Sequence, residues 1–423
     1  MSCLGKLFCS IINNRIIQFL EEKNIITPTQ TAFRKDNRTT DHMFTLTTLI
    51  NKHVKQQYKK NDSNMLFVCF VDLSKAFDTV WRDALFYKLI QYGIEGKVYD
   101  IIKNMYDKSK MCVKLSMNIT EEFLSNIGVK QGCVLSPTLF NIFMNDLPKI
   151  FTSHDCHPAN LQSSAINCLM YADDILLISK SPSGLQSCLN KLNEYCQKWK
   201  LQTNPQKSKI IIFNKPGHLK KNFCFKINDE KIEIVSNHLY LGIIFNASGS
   251  FNNAVNHLHE KANKAIFKLL KSFGPVRPPA KTFNRLFDSM IKPILTYGSE
   301  IWGTKICNIK KTLEIKENTT ARYYKTAPEK CQIKWSKSVL GVHSKSTNIA
   351  VTAELGRYPI LFDIYSQIIM YWNRLHSNNL NPILKDSLEC NMKMITNDEE
   401  CWLTGVKDIL HITGMGEVWA RYM

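Results

Sequence analysis

Cys168-Leu169-Met170-Tyr171-Ala172-Asp173-Asp174-Ile175-Leu176-Leu177-Ile178 reads as two short apolar strands joined by a tight turn that carries two adjacent carboxylates. Upstream, Leu66-Phe67-Val68-Cys69-Phe70-Val71 is a longer run of the same kind, and it too ends at an acid, Asp72. A helix follows it, with Leu85, Phe86, Leu89 and Ile90 on one face and Gly93 just past its end. Residues 138–147 form another, with Leu139, Ile142, Phe143 and Leu147 apolar. Downstream, Ser181-Pro182 opens a third helix by N-cap and first-turn chemistry, with a stripe from Leu185 to Trp199. Asn204-Pro205 stops it, and Ile210-Ile211-Ile212-Phe213 is the next strand.

Strand, helix, hairpin, helix, strand is a split βαβ, ferredoxin-like order, and the fold class is α+β. Before it, Leu7, Ile11, Ile12, Ile16 and Phe19 have helical spacing. Thr27-Pro28 breaks that helix, and a basic loop with Arg34, Lys35 and Arg38 follows. After it, 224–235 and 239–245 are expected to make a further small antiparallel unit. The pattern then turns helical: Val255, Leu258, Ala262, Ile266, Leu269 and Leu270 mark a helix over 253–273 that Gly274-Pro275 ends, and Phe283, Leu286, Phe287 and Met290 mark the next. From about 331 the helical signals are mixed and no chemistry stands out.

The 423 residues carry 55 Lys+Arg against 36 Asp+Glu, a net charge of +19. Such an excess suits a polyanion, nucleic acid first and an anionic membrane surface second; a merely solvated surface is the other reading of charge alone. The basic residues are spread out, with short pairs at Lys59-Lys60, Lys220-Lys221 and Lys310-Lys311. The 14 cysteines include no C-x-x-C pair, which argues against a zinc ribbon and for reduced, buried thiols. No apolar run has the length of a membrane span, and the N-terminus lacks a signal-peptide core, so a nuclear or cytoplasmic, non-secreted protein is expected.

An acid at the end of a buried strand is costly when unpaired, and adjacent aspartates in a tight turn repel each other. A divalent cation removes both problems. Carboxylate oxygens suit Mg²⁺, which keeps waters and shares its sphere with substrate phosphates. Two such ions about 4 Å apart can activate a hydroxyl and stabilise a leaving pyrophosphate. An isolated Asp-Asp could as well be a solvated turn, so the surroundings decide. Phe70-Val71-Asp72-Leu73-Ser74-Lys75-Ala76-Phe77-Asp78 supplies one acid and Tyr171-Ala172-Asp173-Asp174 the others. Gly128-Val129-Lys130-Gln131-Gly132-Cys133-Val134-Leu135-Ser136-Pro137 lies between them.

These blocks resemble motifs A, C and B of reverse transcriptases, specifically those of LINE-type non-LTR retrotransposons. Thr29-Gln30-Thr31-Ala32-Phe33-Arg34-Lys35 resembles the basic fingers block, with Ala32 where the family usually has Gly. Leu201-Gln202-Thr203-Asn204-Pro205-Gln206-Lys207-Ser208-Lys209 resembles motif D, and His238-Leu239-Tyr240-Leu241-Gly242 motif E, the primer grip. Further on, Pro293-Ile294-Leu295-Thr296-Tyr297-Gly298-Ser299-Glu300-Ile301-Trp302-Gly303 and Glu354-Leu355-Gly356-Arg357-Tyr358-Pro359 look like the family's downstream region.

The resemblance implies a right-hand polymerase. Partial helical fingers would occupy 1–64, a palm with inserted fingers elements 65–250 (the reverse transcriptase domain ending near 246), a helical thumb 251–330, and a helical C-terminal region of unknown role 331–423. It implies an RNA template, a DNA primer or target, dNTPs, and two Mg²⁺ ions on Asp72, Asp173 and Asp174, with Mn²⁺ as a substitute. Phe77 matches the steric gate beneath the incoming sugar; as a residue it is equally an ordinary core ring. Gln131 and Gly132 would approach the nucleotide and template, Arg34 and Lys35 the triphosphate, and Lys207 the pyrophosphate. Tyr240, Leu241 and Gly242 would hold the primer end. Lys261, Lys264, Lys268 and Lys271 recur every three or four residues and would follow a duplex backbone. Because the block order begins in mid-fingers, the chain is expected to be a truncated piece of a retroelement. A catalytically inactive, nucleic-acid-binding remnant is the alternative reading.

Overall fold

The computed structural model describes residues 2–55, 65–107, 109–116, 118–219, 222–274, 278–306, 326–377 and 379–422. The pairs Lys59-Lys60, Lys220-Lys221 and Lys310-Lys311 lie outside them. Two helices come first, α1 (Cys3–Glu22) and α2 (Thr39–Ile50), then strand β1 (Leu66–Val71). Helices α3 (Arg82–Gln91), α4 (Gly96–Tyr106) and α5 (Ser136–Met144) lead to the hairpin β2 (Cys168–Tyr171) and β3 (Asp174–Ser179). Helix α6 (Pro182–Trp199), β4 (Lys209–Phe213) and β5 (Glu233–Ile234) complete the central unit. A second hairpin, β6 (Asn237–Tyr240) and β7 (Ile243–Asn246), precedes the long helix α7 (Asn252–Ser272).

The central sheet has five strands in the order β5-β4-β1-β3-β2. With β1 antiparallel to both β4 and β3, and β3 antiparallel to β2, this is the split βαβ order and an α+β fold. The sequence expectation differs at β5. Residues 233–234 leave the small antiparallel unit and run parallel to β4, with Val235 N–H donating to Ile210 O at 2.8 Å. A stretch this short carries no periodicity, yet it covers an edge that would otherwise offer unpaired backbone groups.

Every residue of β1 is buried, and the reason is a sheet covered on both sides. Phe67, Cys69 and Val71 share a core with Leu85 of α3, Phe140 and Phe143 of α5, and Leu189 and Leu192 of α6. Leu66, Val68 and Phe70 share the other with Phe44 and Leu49 of α2 and with Trp302, Ile368 and Trp402 from the downstream helices. The C-terminal helices are thus built onto α2, within the core that covers this face of the sheet. Arg374 pairs with the buried Asp41 of α2, Tyr371 donates to the same carboxylate at 3.2 Å, and Asn391 donates to Thr48 Oγ1 at 2.8 Å. A third, smaller core joins α7 to Phe283, Phe287 and Trp335.

Glu329 stands at the edge of that third core, 1% exposed. One oxygen accepts from Ile360 N–H at 2.9 Å, and the other finds no hydrogen-bond partner among the described residues. Burial pushes its pKa up to about 7. The folded state therefore holds the proton more tightly than the unfolded chain. Stability falls as pH rises from the ordinary glutamate range to about 7 and stays low above it. Glu329→Gln should melt higher than the parent at pH 8, with the gap shrinking at pH 5. Equal gaps in melting temperature at both pH values would refute this.

Candidate active site

Strand register gathers the acids. Val71 lies opposite Ile175, so the next step along β1 sets Asp72 opposite Asp174. Tyr171 pairs with Asp174, leaving Ala172 and Asp173 as a two-residue turn. The carboxyl of Asp174 is raised to about 6, first by desolvation in the cleft and then by Asp173 and Asp72. Two adjacent acids and a third from far upstream thus come together at one end of the sheet. Among the described residues no group of three or more His, Cys, Asp or Glu side chains forms a ready coordination cage. Hard oxygen donors that repel one another at an open cleft fit a cation whose sphere is completed by water and substrate phosphates.

The cleft is a cavity of about 340 Å³ lined by Asp72, Asp174, Lys207 and residues 238–242. Asp72 is fixed from behind. Its N–H donates to Ser208 Oγ at 3.1 Å, and the Ser208 hydroxyl donates to Asn204 O at 2.8 Å. Asn204 N–H returns to Asp72 O at 2.8 Å, and Ser74 N–H reaches Gln202 O at 2.8 Å. The 202–208 loop is thereby laced onto the end of β1, which brings Lys207 into the cleft wall.

Phe77 is half-buried and stacked on Phe140, with centroids 4.5 Å apart and an interplanar angle of 21°. Its carbonyl accepts from Val129 N–H at 2.8 Å, and Val80 O accepts from Gly128 N–H at 2.8 Å. Gln131 Nε2 donates to Asp78 Oδ1 at 2.7 Å. The 128–132 loop therefore sits directly on the 77–80 segment. Gly128 has φ +78°, and a Cβ there would lie 2.6 Å from Asp78 O, so the docking itself demands glycine. The space beside Gly132 is open.

Tyr240 is buried and shares a hydrogen bond with His42 Nδ1 at 3.3 Å. Burial lowers the pKa of His42 to about 3, so that ring stays neutral. Leu241 and Gly242 form the β6–β7 turn, with φ +46° and +85°. Tyr297 Oη donates to Leu241 O at 2.9 Å, and its ring lies 2.7 Å from where a Gly242 Cβ would be. Gly242→Ala should cost about 1–3 kcal/mol in thermal or denaturant unfolding, from strain and displacement of that ring. A change below about 0.5 kcal/mol would show that the turn adapts freely.

Arg34 sits differently from the expectation that it reaches a triphosphate. Its guanidinium binds both carboxylate oxygens of Glu21, at 2.8 and 2.7 Å, and the carbonyls of Thr27 and Gln30 at 3.2 and 3.3 Å. That fork spends its donors on Glu21 and the 27–30 loop, and of the pair it is Lys35 that stands exposed. Sequence reasoning passed over Ser208, Asn204, Tyr297 and Gln30. All lie in quoted blocks, but the hydrogen bonds that give them a role run to remote partners: Ser208 and Asn204 to Asp72, Tyr297 to Leu241 and Gln30 to Ala172.

Residues 1–245 match the family model for reverse transcriptase (RNA-dependent DNA polymerase). The chain is 25% identical over 337 residues to the probable RNA-directed DNA polymerase from transposon BS of Drosophila melanogaster, covering 78% of this chain and 36% of that protein. It is 25% identical over 355 residues to the RNA-directed DNA polymerase from mobile element jockey of Drosophila funebris, covering 79% and 36%. The matched part is thus about a third of those relatives' length. A solved apo telomerase from Candida tropicalis superposes with a TM-score of 0.42 at 12% identity, over 90% of this chain and 61% of that one.

Proposed function

Because the chain belongs to the reverse transcriptase (RNA-dependent DNA polymerase) family, with non-LTR retrotransposon polymerases as its relatives, we propose that it extends a DNA primer on an RNA template by two-metal nucleotidyl transfer. The observation that carries this reading is the register that sets Asp72 opposite Asp174, in one cleft with Lys207 and the Tyr240-Leu241-Gly242 turn. Asp72, Asp173 and Asp174 would hold two Mg²⁺ ions, with Mn²⁺ able to substitute. When bound, such ions stabilise charge on the attacking 3′ oxygen and the leaving pyrophosphate.

The remaining work falls to the chain's own side chains. Phe77, backed by Phe140, bars a ribose 2′-hydroxyl and so favours dNTPs. The 131–132 segment would approach the nucleotide and template and Lys35 the triphosphate, while Lys207 neutralises or protonates the pyrophosphate. The Leu241-Gly242 turn holds the primer end. Lys261, Lys264, Lys268 and Lys271 are all exposed on α7 and would track the duplex backbone. In this reading residues 1–64 are fingers, 65–250 palm and 251–330 thumb, and 331–423 brace the palm sheet.

The test is incorporation of dTTP on poly(A) primed with oligo(dT), expected only when Mg²⁺ or Mn²⁺ is added. Salt-sensitive binding of RNA–DNA duplex with no incorporation would favour the remnant reading instead.

A further inference from the structure

We propose that Gln30 is a positioning residue for the catalytic turn: its carboxamide fixes the backbone of Ala172 and, through it, the placement of Asp173. The proposal rests on the reading of Asp173 as a metal ligand. Gln30 is fully buried. Its Nε2 donates to Ala172 O at 3.2 Å, and its Oε1 accepts from Ala172 N–H at 3.0 Å. One side chain thus takes both main-chain groups of one residue. The same oxygen accepts from Ala32 N–H at 3.1 Å.

The residue so held is the one that most needs holding. Ala172 has φ +58°, in a position of a two-residue hairpin turn that normally favours glycine. With a Cβ, that conformation persists only when its surroundings impose it. Thr31 N–H donates to Met170 O at 3.2 Å and Met170 N–H to Thr29 O at 2.9 Å, so the segment carrying Gln30 is stitched to β2 beside the turn.

The segment is itself anchored to α5 and the residue after it. Asn141 Nδ2 donates to Ala32 O at 2.8 Å. Asn145 accepts from Thr27 N–H at 2.7 Å and donates to Ile25 O at 2.9 Å. The brace also has to be a carboxamide. It must donate and accept at once, and it must add no charge beside Asp173 and Asp174. An ionised Glu could not donate, and Met has the length without either group.

The test compares the parent chain with Gln30→Met, Gln30→Glu and the double variant Gln30→Met/Ala172→Gly. Gly adopts a positive φ without a brace, so it should rescue a variant whose only defect is the turn. Turnover should fall about tenfold to a hundredfold in Gln30→Met. The KM for dTTP and duplex binding should hold, and the Mg²⁺ concentration for half-maximal activity should rise. The upward shift in melting temperature that Mg²⁺ produces should shrink in Gln30→Met and Gln30→Glu and recover in the double variant. A Gln30→Met chain with the parent's Mg²⁺ response, or no recovery on adding Ala172→Gly, would overturn the proposal. A parent chain that responds to Mg²⁺ but incorporates nothing would sink the polymerase reading and leave the brace standing. No response and no incorporation would sink both.

Discussion

Asp173→Asn should lose about 10³-fold or more of its dTTP incorporation while keeping its fold and its affinity for RNA–DNA duplex. Asn fills the same space and removes only the charge. If Asp173 shares in holding two cations, that charge underlies several kcal/mol of transition-state stabilisation, and each 1.36 kcal/mol is tenfold in rate. The structure adds a second expectation. Asp173 is one of the neighbours that raise the pKa of Asp174, so removing its charge relieves a repulsion in the metal-free protein. The variant should melt no lower than the parent without Mg²⁺ and should gain less when Mg²⁺ is added. Single-turnover extension and a melting series in Mg²⁺ read both. Incorporation within tenfold of the parent would reject Asp173 as a ligand.

Phe77→Ala should raise the use of rNTPs relative to dNTPs by about 10–200-fold, the range a single steric contact in a pocket commands. The ring is poised for it: stacked on Phe140, with its own carbonyl tied to Val129 N–H. A gate must be rigid to reject one hydroxyl, and this residue is held both at its ring and at its backbone. The competing reading, an ordinary core ring, makes a different forecast. Stability would then fall with no change in sugar preference. Because truncation of a half-buried Phe can also weaken the fold, Phe77→Val serves as a second variant with more of the packing kept. Competition between ATP and dATP on a poly(U) template measures the ratio directly. An unchanged ratio in both variants would leave Phe77 a core residue.

What the sequence made legible follows from what each residue does locally. The strands around Asp72 and Asp173 were readable because a sheet covered on both faces writes continuous apolar runs, and the acids stand where those runs stop. Which segments do the covering was not readable. The C-terminal helices look mixed because polar residues such as Arg374 and Asn391 face inward toward partners more than 300 positions away. Arg34 shows the same limit. A basic loop residue is a plausible phosphate ligand until Glu21 is found beside it. Gln30 went unweighed because an amide in a loop signals nothing by itself, and its partner Ala172 lies far along the chain.

The core in which Trp302, Ile368 and Trp402 join Phe44 of α2 behind the sheet also sets a timetable. The ribosome delivers both halves of the cleft well before the helix Trp402–Ile412 that helps close the sheet's second side. Until it emerges, Phe44 of α2, whose ring lies edge-on to Trp402 at 5.1 Å, lacks part of its cover. The nascent polypeptide should therefore complete this core only after residue 412 has emerged, and a chain stopped near residue 246 should be a poor, aggregation-prone folder even though it carries all three acids.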